Sequence, residues 1–101
     1  MLDRPILRAI TPHDLPAAAE LLSKALPYDH TGPVVEEKLL GSNHRRDRFT
    51  TGAFSPSGEL LGVVALAGRW LKLLAVHPSA QRRGIGTILL QSARAHLTAS
   101  T

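Results

Sequence analysis

The spacing of apolar and polar positions predicts a strand and two helices in the first part of the chain. Residues 5–10 form a short β-prone run. Residues 11–26 then indicate an amphipathic helix, because Thr11 suits an N-cap, Pro12 suits the first helical position and apolar residues follow at helical spacing. The residues of this apolar face are Leu15, Ala18, Leu22 and Leu26. A second, shorter helix is predicted over 34–40 and is ended by a glycine.

The second part of the sequence predicts three strands and a closing helix. Residues 48–55 are read as a strand in which positions 49, 51, 53 and 55 alternate with positions 50, 52 and 54. Residues 56–58 form a turn, and 59–68 return as a strand, which indicates a β-hairpin. Six of the eight residues over 69–76 are apolar, which is typical of a strand covered on both faces. The last helix is predicted from Gly84 to about Leu97. Its apolar face consists of Leu89, Leu90, Ala93 and Leu97.

The order of these elements indicates the fold class. One strand, two helices, three strands and a final helix predict an α+β fold. The chain has 101 residues, a length near the lower limit at which one core stabilises itself. We therefore expect one domain over residues 1–101.

Composition narrows the class of protein. Twelve Lys and Arg against eight Asp and Glu give a net charge of +4, which suits an anionic partner. The absence of cysteine excludes disulfides, thiolate metal ligands and a cysteine nucleophile. The first ten residues contain an early acid and no long apolar run, so we expect that this segment is neither a signal peptide nor a membrane span. We therefore expect a cytoplasmic protein. We also expect no bound metal, because the five histidines lack close metal-ligand spacing.

The sequence Q-R-R-G-I-G at 81–86 places two arginines and two glycines at the start of the last helix. The first N–H groups of a helix have no partner inside it, and glycine lets an anion approach the backbone there. The guanidinium groups of Arg82 and Arg83 can bind phosphate oxygens. A basic surface turn explains the motif alone equally well. Its position between a strand and an apolar helix favours a phosphate site.

Two other phosphate-binding motifs do not fit this segment. The dinucleotide fingerprint needs a third glycine at a fixed offset after Gly86 and a shorter loop from the strand. A P-loop needs a Gly-Lys-Ser/Thr tripeptide, which the chain lacks. Coenzyme A remains as the candidate ligand.

Residues 73–90, L-L-A-V-H-P-S-A-Q-R-R-G-I-G-T-I-L-L, resemble the acetyl-coenzyme A motif of GNAT-type N-acyltransferases. That motif is an apolar strand, V-x-P, and then Q/R-x-x-G-x-G/A at the start of a helix. The matching positions are Val76, Pro78, Gln81, Gly84 and Gly86. The order of elements is also similar over nearly the whole chain. The resemblance therefore implies the GNAT-like fold, with a mixed, mainly antiparallel sheet flanked by helices.

The resemblance implies acetyl-coenzyme A as co-substrate and a primary amine as acceptor. Backbone N–H groups from Arg82 to Thr87 would hold the diphosphate, the strand end would pair with the pantetheine arm, and an N–H near Val76 would polarise the thioester carbonyl. The reaction would be direct attack by the amine with both substrates bound. The implied cofactor-binding residues are Leu74, Ala75, Val76, Gln81, Arg82, Arg83, Gly84, Ile85, Gly86 and Thr87.

The sequence assigns no catalytic residue. Some family members carry a glutamate early in the strand before the loop, but residues 69–72 here contain no acid. Glu59 is the nearest carboxylate and fits better as an exposed residue beside a turn. His77, at the strand end, could relay a proton but fits better as an ordinary strand-terminal residue. A base is dispensable if the amine arrives neutral.

The family continues beyond this helix with further strands, whereas the sequence ends at Thr101. The resemblance therefore implies a domain that is incomplete at its C-terminus. Residues 69–76 would then form an apolar edge strand, and such edges pair with other chains. We expect either a fragment of a longer enzyme or a homodimer that covers this edge.

Three classes of function follow from these patterns. The first is an acetyl-coenzyme A-dependent N-acetyltransferase, or the cofactor-binding half of one. The second is a noncatalytic coenzyme A-binding or protein-interaction module. A nucleic-acid-binding domain is the third, and specific binding is disfavoured because the chain has only four aromatic residues and none lies among the arginines of 43–48.

Overall fold

The structure is a computed structural model that describes residues 5–25 and 48–99. The described residues form four strands and two α-helices, which confirms the predicted α+β class. In chain order the elements are β1 (Ile6–Ala9), α1 (Leu15–Ala25), β2 (Arg48–Phe54), β3 (Leu60–Ala67), β4 (Trp70–Val76) and α2 (Ile85–Ala99). The helix predicted over 34–40 and the basic segment before β2 lie outside the described residues, apart from Arg48.

The four strands form one sheet in the order β1-β2-β3-β4, and every described pairing is antiparallel. The predicted hairpin of β2 and β3 is confirmed. Gly62 near the start of β3 pairs with Val76 at the end of β4. The end of β4, where the phosphate site was predicted, therefore lies beside the start of the central strand β3.

The two helices cover opposite faces of the sheet. Side chains along β3 alternate between the faces, as expected for a strand. One core contains α1 and the β3 residues Val63 and Ala65, and the other contains α2 and the β3 residues Val64 and Leu66. The sheet is thus a middle layer between two helices, and β3 is buried on both sides.

The first helical turn differs in geometry from the prediction. Thr11 is the N-cap and Pro12 the first helical position, as predicted, but Pro12–Asp14 form a 3-10 turn and α1 begins at Leu15. The physical reason is Pro16, which has no N–H to donate to the Pro12 carbonyl in a continuous α-helix. The buried side chains of α1 are Ala18, Leu21 and Leu22.

The prediction that β4 is covered on both faces is wrong for its first half. Trp70 is 75% exposed and Leu71 is 52% exposed, whereas Leu73 is buried. A β-bulge separates the two halves, because Leu73 pairs with Ala65 but Leu71 already pairs with Leu66. The described helices pack only on the half that follows the bulge, where β4 residues join both cores.

The last helix also differs from its prediction. It begins at Ile85, and Gly84 lies before it with φ of +78°. Leu90 was predicted in the core but is 39% exposed, because the contact with the sheet is made by residues spaced four apart. The buried residues of α2 are Ile85, Leu89 and Ala93. Of the described helices, neither has the length and apolarity needed to cross a membrane.

Candidate functional site

A cavity of about 280 Å³ lies where β4 ends and α2 begins. Seven of the ten residues predicted from the sequence line it: Val76, Gln81, Arg82, Gly84, Ile85, Gly86 and Thr87. Leu74 is half-buried in β4, Ala75 belongs to the core beneath α1, and Arg83 is an exposed loop residue. Ala80 also lines this cavity, and no local sequence signal distinguishes this small buried residue.

Two residues of the loop before α2 have left-handed backbone conformations. Gly84 has φ of +78°, and Arg82 has φ of +68°, the one positive value of a non-glycine residue in the described part of the chain. Arg83 between them has a negative φ. Such alternation points successive N–H groups into one concavity, which favours an anion.

The start of α2 adds further N–H donors. The Gly84 carbonyl accepts the first helical hydrogen bond from the backbone N–H of Ile88 at 3.0 Å. The N–H groups of Ile85, Gly86 and Thr87 therefore have no acceptor inside the helix. The first turn of α2 carries no acidic side chain, so these donors and the helix dipole make a positive end.

Gly62 determines how closely α2 sits on the sheet. A Cβ atom at this position would lie 3.0 Å from Leu89 Cδ1 and from the Ala75 carbonyl oxygen, and 3.1 Å from Ile85 Cγ2. These distances are tighter than ordinary van der Waals contact. The missing side chain thus lets the first turns of α2 pack directly against β3, next to the end of β4.

The hydrogen-bond pattern of β4 determines which backbone groups face its open edge. The N–H of His77 donates to the Leu61 carbonyl at 2.8 Å. In an antiparallel ladder the inward and outward residues alternate, so Ala75 faces β3 while Leu74 and Val76 direct their N–H and C=O groups outward. The Val76 carbonyl accepts a hydrogen bond of 3.1 Å from Nε2 of Gln81.

A second cavity, of about 300 Å³, lies between α1 and the start of β3. Glu59 and His77, which the sequence suggested separately, both line it, together with Glu20, which sequence reasoning missed. The Lys24 ammonium, hydrogen-bonded to Glu20 at 3.0 Å, lowers the pKa of that carboxyl. Among the described residues no group of three metal-ligating side chains occurs.

The ring orientation of His77 is set by its neighbour Ser79. Its Nδ1 accepts a hydrogen bond of 3.1 Å from the Ser79 backbone N–H and lies 2.8 Å from the Ser79 hydroxyl. An accepting Nδ1 places the proton of the neutral ring on Nε2. His77 can therefore donate a hydrogen bond from Nε2 while its ring is held by Ser79.

A comparison with models of protein families identifies the class of protein to which this fold belongs. A sequence model of the acetyltransferase (GNAT) family matches residues 15–100, and the chain belongs to that family. The resemblance recognised at 73–90 is thereby confirmed. No curated protein matches the sequence.

Solved structures show the same fold at low sequence identity. PaiA N-acetyltransferase from Thermoplasma acidophilum, in complex with coenzyme A, is 18% identical with a TM-score of 0.81, over 97% of this chain and 74% of that one. The ribosomal-protein-S18-alanine N-acetyltransferase from Escherichia coli is 21% identical with a TM-score of 0.73, over 92% of this chain and 59% of that one.

A third similar structure is a GNAT family N-acetyltransferase from Escherichia coli in complex with CoA. It is 22% identical with a TM-score of 0.76, and the match covers 93% of this chain and 56% of that one. The chain thus spans between 56% and 74% of the length of these three proteins.

Proposed function

We propose that this chain binds acetyl-coenzyme A and transfers its acetyl group to a primary amine, either alone or as the cofactor-binding part of a longer enzyme. The observation that carries the proposal is the concave group of backbone N–H donors from Arg82 to Thr87, beside the open edge of β4. We call this group of donors the cradle. Membership of the GNAT family supports it. The coenzyme A bound to two of the similar structures supports the same ligand here.

The donors at the start of α2 fit a diphosphate. Described residues that line the first cavity offer N–H groups and the Arg82 guanidinium, and none of them is a carboxylate. The helix dipole alone contributes only about 0.3–1 kcal/mol at an exposed site. Binding therefore requires several N–H contacts together, with Arg82 and Arg83 adding charge-assisted hydrogen bonds.

The open edge of β4 suits the pantetheine arm, which contains two amide groups. Leu74 and Val76 direct backbone N–H groups outward and can pair with those amides as a neighbouring strand would. In this proposal an N–H near Val76 also stabilises the negative charge that develops on the thioester oxygen. Ala75 contributes its side chain to the core and its backbone to the pairing with β3.

The proposed reaction is a direct displacement. The amine nitrogen attacks the thioester carbonyl carbon, and the carbon–sulfur bond breaks. The coenzyme A thiolate leaves and takes up one proton to become the thiol. The nitrogen loses a proton to water or to a side chain, so a neutral amide and a free thiol result. The chain contributes position and oxyanion stabilisation, which need no covalent intermediate.

The exposed edge of β4 is also a candidate surface for association with other protein segments. We propose that residues 1–101 form one GNAT-like domain that acts in the cytoplasm, and that the apolar edge at 69–76 is covered either by further chain of a longer enzyme or by a second copy. Exposed Trp70 and Leu71 support this, because unpaired apolar edges associate.

Ligand-dependent thermal stability tests the proposal. We expect acetyl-coenzyme A and coenzyme A to raise the Tm, and ATP, which lacks the pantetheine arm, to raise it far less. Two glycine variants form a matched pair, because Gly84 and Gly58 both have positive φ and open space around a built Cβ. Gly84→Val should abolish the shift, whereas Gly58→Val should keep it. Equal shifts for both variants would place the ligand elsewhere.

The alternative is a noncatalytic coenzyme A-binding module. It is favoured by the absence of any carboxylate on the described residues of β4. Acetylation of a panel of amines by the purified chain separates the two functions. A Tm increase with coenzyme A but no acetylated product supports the module, and product formation supports the enzyme.

A further inference from the structure

The side chain of Gln81 connects the cradle loop to the end of β4. Its Nε2 donates to the Val76 carbonyl at 3.1 Å, across a loop of four residues. The same loop is closed by backbone hydrogen bonds from Ala80 N–H to the His77 carbonyl at 2.8 Å and from Gln81 N–H to the Pro78 carbonyl at 3.4 Å. The Gln81 amide is thus the side-chain link between the two halves of the site.

The acceptor of this bond is one of the groups that β4 directs to its open edge. Val76 and Leu74 offer the outward backbone groups, and the Val76 carbonyl is already bonded by Gln81. The remaining outward groups are the two N–H groups and the Leu74 carbonyl. The hydrogen bond from Gln81 therefore occupies the Val76 carbonyl and leaves the other outward backbone groups available to a ligand. It also fixes the position of this strand end relative to the cradle.

We propose that Gln81 is a positioning residue that sets the distance between the cradle and the edge of β4, an inference that rests on the proposed function. A ligand that occupies the cradle and the edge together needs both at one fixed separation. When this separation is already fixed, a ligand that spans both places does not lose binding free energy in ordering the loop. A ligand that occupies the cradle alone does not depend on the separation. Gln81, which also lines the first cavity, thus acts on the long ligand by holding the two backbone segments that bind it.

Affinities for a long and a short ligand test this role. Titration calorimetry measures the Kd of coenzyme A, which reaches the edge, and of ADP, which carries adenosine and the diphosphate but no pantetheine arm. For Gln81→Ala we expect coenzyme A to bind roughly 3- to 10-fold more weakly, the size of one hydrogen bond, with ADP changed less than about 2-fold. An unchanged ratio of the two Kd values overturns the proposal.

Two further variants separate positioning from charge. Gln81→Arg keeps N–H donors that reach the Val76 carbonyl, so the ratio of the two Kd values should return to the wild-type ratio. Gln81→Glu keeps the shape but presents no donor, so the ratio of the coenzyme A Kd to the ADP Kd should stay as high as in Gln81→Ala. Failure of the arginine variant to restore the ratio contradicts the proposal. Gln81 is exposed, so all three variants should keep the wild-type Tm within about 2 °C.

A measurement without ligand distinguishes this proposal from the function on which it rests. In NMR spectra the side-chain amide of Gln81 should exchange slowly, and the Val76 carbonyl carbon should shift in Gln81→Ala. If these signals are as expected and the wild type binds no coenzyme A, the proposed function fails while the contact stands. If the wild type binds coenzyme A and the amide exchanges freely, the positioning role fails alone.

Discussion

Gly86 in the first turn of α2 lies against Val76 at the end of β4, because a Cβ atom at position 86 would be 3.6 Å from Val76 Cγ2. That distance is an ordinary van der Waals contact. The end of the strand and the start of the helix therefore form two walls of one cavity, and a glycine separates them.

Substitution of Gly86 by residues of different size should separate binding from folding. An alanine methyl group fits, and alanine in a helix is favoured over glycine by roughly 0.5–1 kcal/mol, so the Tm of Gly86→Ala should not fall. The motif that Gly86 matches also accepts alanine, so Gly86→Ala should keep coenzyme A binding, whereas the larger side chain of Gly86→Leu should weaken it. Calorimetry and thermal unfolding measure the two effects. Equal affinities of the two variants would show that the ligand does not approach this backbone.

Substitution of Arg82 by glycine should stabilise the fold and weaken binding. A left-handed conformation costs a non-glycine residue about 1 kcal/mol, so Arg82→Gly should raise the Tm by roughly 4–8 °C. The loss of one guanidinium should weaken coenzyme A binding several-fold, most strongly at low salt. Arg83→Gly is the control, because Arg83 has a negative φ and gains no relief of strain. Equal Tm changes in both variants would contradict this account.

Substitution of Gly62 by alanine should displace α2. The new Cβ would lie 3.0 Å from a backbone oxygen and from Leu89 Cδ1, so the helix must move or the sheet must distort. Overpacking of this kind costs about 1–3 kcal/mol, and we expect a lower free energy of unfolding together with weaker coenzyme A binding. Urea denaturation with ligand titration measures both. Unchanged stability would mean that the helix does not rest on this strand.

Asp14 should make stability depend on acid pH. The Arg8 guanidinium donates two hydrogen bonds to this carboxylate, at 2.9 and 3.0 Å, and holds its pKa well below the ordinary value against the opposing effect of burial. The N–H and hydroxyl of Thr11 add hydrogen bonds of 2.8 and 2.9 Å. A lowered pKa means that the charged carboxylate stabilises the fold above the unfolded-state value near 3.9 and that this contribution is lost as the pH falls further.

The comparison with Asp14→Asn tests this dependence. At pH 7 the variant should be less stable by about 1 kcal/mol, a size set by the capping role and by the 46% exposure of the Arg8 side chain. The difference should shrink below about pH 4, where the Asp14 carboxyl takes up a proton in the unfolded chain while it stays charged in the folded protein. Urea unfolding at several pH values measures it. A difference that stays constant down to pH 2 would contradict the ion-pair explanation.

Self-association should depend on the first half of β4. If a second copy covers this edge, the wild type elutes as a concentration-dependent dimer in light-scattering chromatography, and Leu71→Lys is monomeric. Leu90→Lys is the matched control, because Leu90 is also an exposed leucine, at 39%, but belongs to α2 and not to β4. A wild-type monomer at high concentration would exclude the dimer.

Local patterns in the sequence determined the order of the described elements and the location of the cradle. Glycine, proline and polar residues act on the backbone within a few positions, so the hairpin turn and the Q-R-R-G-I-G segment were readable without the fold. The family resemblance at 73–90 extended this reading to a cofactor. It did so because the loop and the helix start that hold the cradle are contiguous in sequence.

The tertiary structure alone decided which apolar residues are buried and which distant groups meet. Leu90 and Trp70 are apolar and exposed because burial depends on what packs against an element, which the element's own sequence does not contain. The bulge in β4 depends on its pairing with β3. Glu20 and His77 share a cavity because α1 crosses the sheet there. Contacts between residues far apart in sequence arise only when the chain folds, so no local signal encodes them.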